Sequence, residues 1–403
     1  MKKAILFSIV LFLTGGTSFA QWMPQTSGIN NFITSVFFLN ADTGYVSVFG
    51  GTILKTTDGG ANWDPQTSGI TGDLYCIYFS NADTGYAVGD LGIILKTTNG
   101  GTTWAPQSSG TPNWLAYVEF VGNNGVAVGG SGTILHTSNG GATWTKQVSG
   151  ISTNLRQIFF VNADTGYVTG GTQYVSGGII LKTMDGGVTW TILSNNVYNL
   201  LFSVVFTDDN TGYIAGGTQT VANILKTTDA GLTWNAIPNV PAAPLRRIFF
   251  ADANVGYAVS KMGEIIQTSD AGETWTLQQS GTAQFLFSVY FTDPYTGYAV
   301  GDSGTILKTT NGGFPVGINE KHETTGLKIN PNPAKEKISI ELPVPGTGAD
   351  ETIIVYGMTG QEMIRRQAYG SPVAIDVSSL QQGIYFVRFL NNGKTESGKF
   401  VKE

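Results

Sequence analysis

Gly44-Tyr-Val-Ser-Val-Phe-Gly-Gly-Thr-Ile-Leu-Lys-Thr-Thr-Asp-Gly-Gly-Ala-Asn-Trp63 reads as two apolar strands, a glycine connector between them, and a tight Asp-Gly-Gly turn that ends on a tryptophan. The stretch recurs. Its opening glycine reappears at Gly85, Gly125, Gly166, Gly212, Gly256 and Gly297, at intervals of 41, 40, 41, 46, 44 and 41 residues. Upstream of each copy lies an aromatic strand such as Ile33-Thr-Ser-Val-Phe-Phe-Leu39, and a short fourth strand follows each tryptophan. Four strands in a period of about 42 residues, repeated seven times without helical periodicity, predict an all-β, seven-bladed β-propeller.

The ends of the repeat array predict how the ring closes. Tryptophan-led fourth strands follow Trp63, Trp104, Trp144, Trp190, Trp234 and Trp275, but the seventh period stops at Phe314 without one. Trp22-Met-Pro-Gln-Thr-Ser-Gly28 nearly duplicates Trp63-Asp-Pro-Gln-Thr-Ser-Gly69. The N-terminal strand is therefore expected to complete the last blade. Phe38, Phe79, Phe120, Phe160, Phe206, Phe250 and Phe291 hold one position of the first strand, two residues after Val or Ile, which predicts the core between blades.

The composition excludes several classes. Charged residues are 12% of the 403, aromatics 11%, and glycines number 54, unlike a disordered chain. The net charge of −6 opposes a nucleic-acid partner. One cysteine, Cys76, and two histidines, His136 and His322, leave no disulfide and little for a metal, and no cofactor is expected. Residues 1–20, with Lys2 and Lys3 before the apolar run Ala4–Leu13, read as a signal peptide rather than a membrane span. The expected organisation is a signal peptide at 1–20, the propeller at 21–314, a linker at 315–325 and a C-terminal domain at 326–403, with no transmembrane segment in the mature chain.

Thr56-Thr-Asp58-Gly-Gly60-Ala-Asn-Trp63 resembles the Asp-box, Ser/Thr-x-Asp-x-Gly-x-x-Trp. So do the turns of Asp185 with Trp190, Asp229 with Trp234 and Asp270 with Trp275; Asn99 with Trp104 and Asn139 with Trp144 vary it, as does Asn311. The resemblance implies a structural hairpin remote from any catalytic centre. The whole repeat, over Trp22–Phe314, more specifically resembles the photosystem II assembly and stability factor propellers. Leu327-Lys-Ile-Asn-Pro-Asn-Pro333, Ile354-Val-Tyr356, Gly360-Gln361, Leu380-Gln-Gln-Gly-Ile-Tyr385 and Lys399-Phe-Val-Lys402 resemble the C-terminal sorting domain of the type IX secretion system. That resemblance implies handling by the type IX machinery and release or attachment at the cell surface. Alternation in its strands predicts a small antiparallel β-sandwich.

These features point to a secreted or cell-surface binding propeller for a protein or glycan, without enzymatic activity. The alternatives are a sialidase-like glycoside hydrolase and an assembly factor like the photosystem II relatives. The propeller holds three arginines, two of them adjacent, and no repeated carboxylate motif, which opposes sialidase chemistry. Second-to-third and fourth-to-first loops share one face, where loop lengths vary most, so Trp114, Arg156, Tyr174, Tyr198, Arg246 and Arg247 are expected on a binding rim. Lys55, Lys96, Lys182, Lys226 and Lys308 hold one strand position, with His136 and Gln267 in their place elsewhere, and are expected to be solvated.

Overall fold

The computed structural model describes residues 22–172, 177–193, 200–218, 220–314, 327–342, 346–357, 361–391 and 394–403. Contacts divide the chain into two units, 1–317 and 318–403. The signal-peptide and linker expectations, 1–20 and 315–325, lie outside the described residues.

The described residues of the first unit form seven four-stranded antiparallel sheets. The first runs Ile33–Phe38, Gly44–Val48, Ile53–Thr56 and Asp64–Gln66. The next five repeat this order from first strands Leu74–Phe79, Leu115–Val121, Leu155–Phe160, Leu200–Phe206 and Leu245–Phe250. The seventh contains Leu286–Phe291, Gly297–Gly301 and Ile306–Thr309, and its fourth strand is Met23–Gln25. First strands of consecutive sheets pack together, and that of the seventh packs on that of the first. The result is a β-propeller with the chain start paired to its last blade.

Apolar alternation builds the core between blades. Phe38 stacks on Tyr298 of the seventh blade with ring centres 3.9 Å apart, and Trp63 meets Phe38 edge-on at 6.1 Å. The same triad recurs as Phe79–Tyr45–Trp104 and Phe120–Tyr86–Trp144. Trp22 takes in the seventh blade the seat that Trp63 takes in the first. It is fully buried, lies edge-on to Phe291 at 5.7 Å, and donates its indole N–H to Gln278 Oε1 at 2.8 Å.

The Asp-box turns are closed by their own side chains. Asp58 Oδ1 accepts from the Asn62 backbone N–H at 2.9 Å and the Thr56 hydroxyl at 2.8 Å, and Thr56 Oγ1 accepts from Gly60 N–H. Hydrogen bonds led by that of the Asn62 side chain hold the Asp58 carboxyl down at about 2. Gly59, at φ +66°, and Gly60, at +86°, supply the left-handed turn that bulkier residues resist.

The repeated lysines correct an expectation. Lys55 Nζ donates to Gly100 O of the next blade's turn at 2.9 Å, beside Tyr45 Oη at 2.8 Å on the same carbonyl. Lys96, Lys182, Lys226 and Lys308 do likewise with Gly140, Ala230, Ala271 and Gly59. They are part-buried staples between blades rather than solvated charges. At the junction of the third and fourth blades Val126 and His136 replace the pair, and His136 Nε2 is buried without a partner.

In the second unit, Lys328–Asn330, Lys337–Glu341 and Val373–Asp376 form one sheet, and Glu362–Gly370, Gly346–Tyr356, Gly383–Asn391 and Lys394–Lys402 another. Ile338, Ile340 and Ile375 of the first pack with Ile353, Val387, Phe389 and Phe400 of the second in one core, giving a β-sandwich.

Candidate functional site

Each first strand carries a β-bulge near its start. The ladder steps from Ile33↔Val48 to Ser35↔Ser47 and passes over Thr34. The residues passed over in the other blades are Tyr75, Ala116, Arg156, Phe202, Arg246 and Phe287. A bulge frees one residue from the ladder and re-aims its side chain, a device common beside functional sites. Here it sets seven bulge residues at the start of the first strands, on the face where second-to-third turns meet the incoming chain through bonds such as Gly130 N–H to Trp114 O and Gly171 N–H to Asn154 O.

Tyr75, Arg156, Phe202, Arg246 and Phe287 of these join Phe32, Phe49 and Trp114 in a nearly continuous collar. Phe287, Phe32, Phe49, Tyr75 and Trp114 follow one another at centroid distances of 6.0, 5.2, 5.6 and 6.0 Å. The Arg156 guanidinium then lies 5.2 Å from the Trp114 ring and 5.5 Å from Phe202, and Arg246 lies 4.1 Å from Phe202 on its other flank. Such contacts stabilise a guanidinium but neutralise none of its charge. Among the described residues no carboxylate pairs with Arg156 or Arg246, and the Nε of each is buried without an acceptor. Burial, reinforced by Arg156, lowers Arg246 to about 10, and burial, reinforced by the two arginines, lowers Lys261. The nearby Asp90 instead accepts from Tyr75 Oη at 2.6 Å, and Asp73 from Gly50 N–H at 2.8 Å. The collar is thus short of anionic groups where its cations converge.

Trp114, Arg156 and Arg246 are brought together here. Tyr174 and Tyr198 lie outside the described residues. Arg247 is not on the collar: the bulge ends at Arg246, and ordinary alternation turns Arg247 inward, where it donates to Tyr117 Oη and lies 4.7 Å from that ring.

That inward position belongs to a cavity of about 220 Å³ lined by the first strands. One level holds Ser35, Tyr117, Gln157 and Arg247; the next holds Phe37, Tyr78, Glu119, Phe159, Val205, Phe249 and Tyr290. Burial pushes the Glu119 carboxyl up to about 8, against the Phe160 N–H it accepts at 3.3 Å and the Arg247 charge. Burial likewise pushes the Cys76 thiol up to about 12. The sequence carried a signal for Glu119 and Tyr117: each departs from its repeat position, where the other blades have Phe, Tyr or Val at the first and Ser in three of six at the second. A larger groove of about 780 Å³ opens between the third and fourth blades, with Lys146 as its sole charged wall residue among the described residues. Among the described residues no cluster of His, Cys, Asp and Glu could hold a metal, and no helix is long and apolar enough to cross a membrane.

The chain matches the family described as photosynthesis system II assembly factor YCF48 over residues 16–107, 68–149 and 147–284. Residues 328–403 match the secretion system C-terminal sorting domain. Solved structures similar to the chain include YCF48 bound to D1 peptide, 18% identical with a TM-score of 0.61, covering 73% of this chain and 98% of that one. YCF48 from Cyanidioschyzon merolae is 18% identical with a TM-score of 0.60, covering 72% and 98%. An ancestral GH74 enzyme is 12% identical with a TM-score of 0.50, covering 96% and 64%. At these identities the likeness is one of fold. No curated protein matches the chain.

Proposed function

The chain belongs to the photosynthesis system II assembly factor YCF48 family and ends in a secretion-system sorting domain, and from that premise we propose that it is a secreted or cell-surface binding propeller whose collar takes an anionic segment of a partner. The observation that carries this reading is the pair Arg156 and Arg246, seated on Trp114 and Phe202 without a carboxylate partner among the described residues. A part-buried charge without a carboxylate partner is costly, and an incoming carboxylate would receive bidentate hydrogen bonds from either guanidinium. A YCF48 propeller has been solved with a peptide bound, which favours a protein segment over a glycan. Photosystem assembly is the role named for the relatives, whereas the sorting domain sets this chain on a type IX export route to the surface. Glycoside hydrolysis needs two facing carboxyls, and among the described residues the central cavity is lined by one, Glu119.

The test is binding of the full chain to acidic peptide and glycan arrays, beside an Arg156→Gln/Arg246→Gln variant. Saturable, salt-sensitive peptide binding should weaken at least about tenfold in the variant, since losing a buried charged contact costs about 2 kcal/mol or more. Equal binding by the variant, or turnover of a glycan substrate, would overturn the reading. A Tyr174→Ala/Tyr198→Ala variant tests the other two residues expected on the rim in the same assay.

A further inference from the structure

We propose that the central cavity is a second and separate site, which takes a small zwitterion carrying a methylated ammonium group and a carboxylate, the ammonium beside Glu119 and the carboxylate on Arg247. This does not rest on the collar's function. Five of the seven side chains on the level of Glu119 are aromatic: Phe37, Tyr78, Phe159, Phe249 and Tyr290. Phe37 meets Tyr78 at 5.4 Å and Tyr290 at 5.3 Å, and Tyr290 meets Phe249 at 5.1 Å. Both tyrosine hydroxyls are committed, Tyr78 Oη to Phe120 O at 2.8 Å and Tyr290 Oη to Phe38 O at 2.9 Å. Packing between blades explains these rings. It does not explain a carboxyl among them.

Glu119 and Arg247 line the same cavity, yet no ion pair joins them. Among the described residues Glu119 has a single hydrogen bond, from Phe160 N–H; Arg247 donates to Tyr117, and its Nε is buried without an acceptor. A lone cation would satisfy Glu119 and leave Arg247 uncompensated, and a lone anion would do the reverse. A zwitterion meets both. Methylation follows from the inventory of acceptors. A primary ammonium brings three N–H donors to a wall with one carboxyl and hydroxyls already engaged, whereas a quaternary ammonium brings none and gains from aromatic faces. The volume is below the roughly 300–1,000 Å³ of drug-sized pockets, which limits the occupant to a small molecule.

Proton linkage gives the site a signature. Around Glu119 stand Arg247, which favours its ionised form, and Tyr78, Tyr117, Tyr290 and Cys76, all kept neutral by burial. The empty site therefore holds Glu119 protonated at pH 7, and an ammonium ligand ionises it. The experiment is calorimetric titration of the full chain with glycine betaine, tetramethylammonium and acetate, in two buffers of different protonation enthalpy. Betaine should bind at least about tenfold more tightly than either half. It should release about one proton at pH 7, and progressively less toward pH 9. Glu119→Gln and Arg247→Met should each weaken betaine at least about tenfold, with thermal unfolding as the check that the variants are folded. Absence of betaine binding, equally tight binding of tetramethylammonium, betaine affinity unchanged in folded Glu119→Gln, or no proton release at pH 7 would each overturn the proposal.

Discussion

A carboxyl at position 119 occupies a slot that six other blades fill with Phe37, Tyr78, Phe159, Val205, Phe249 and Tyr290, and its cost should be visible in stability against pH. Its folded pKa is raised to about 8, above the unfolded value of roughly 4.3. Between these values the folded chain holds a proton that the unfolded chain has lost, so stability falls as pH rises through that window and levels off above it. The limiting slope for one group is about 1.4 kcal/mol per pH unit. Glu119→Gln should flatten this part of the curve and leave the protein at least as stable at pH 8, as read from urea unfolding at pH 5, 6.5 and 8. An unchanged slope would mean that Glu119 is already ionised near pH 5. At this scale the site was half legible. Arg156 and Arg246 stood out as scarce cations in a charge-poor chain. Arg246 and Arg247, adjacent in sequence, read as one rim pair, because the bulge that sends them to different levels leaves no mark in the residues themselves.

At the scale of the element, the unit of cohesion is the Tyr-Lys staple, in which two donors from one blade share a turn carbonyl of the next. Its register was legible, since Tyr45 and Lys55 sit opposite one another in neighbouring strands and their counterparts recur with the repeat. Its partner was not, because Gly100 O lies 45 residues downstream of Lys55, and a backbone carbonyl has no signature in a residue pattern. This is why the lysines read as solvated. Tyr45→Phe keeps the stack on Phe79, at 4.0 Å, and deletes the hydrogen bond alone. It should lower stability by about 1 kcal/mol, with Lys55 still holding the carbonyl. Tyr298→Phe, which spans the seventh and first blades onto Gly59, should cost a similar amount. The readout is the midpoint shift in urea at constant slope. A loss near zero for both would assign the cohesion to ring stacking instead.

For the whole molecule, the period, the turn chemistry and the near-duplication of Trp63–Gly69 by Trp22–Gly28 made the architecture readable, because each repeat must bury one aromatic set and the sequence must supply it each time. What the duplication could not reveal is how the terminal strand is locked in. Met23, Pro24 and Gln25 pair with Lys308, Leu307 and Ile306, but two hydrogen bonds unique to this seam involve Gln278, which accepts from Trp22 and donates to Gly312 O. Trp22 is 0% exposed against 8% for Trp63, so the strand's side chain is held as deeply as one inside a covalently continuous blade. If the N-terminal strand belongs to the ring, Trp22→Ala should destabilise as much as Trp63→Ala, about 3–5 kcal/mol each. Removal of residues 21–27 should cost more, because it also bares the Ile306–Thr309 edge to intermolecular pairing. Thermal unfolding and light scattering of the two point variants and the truncation separate the cases. A Trp22→Ala melting temperature close to the parent's, with Trp63→Ala strongly lowered, would make the terminal strand an accessory to a ring that holds without it.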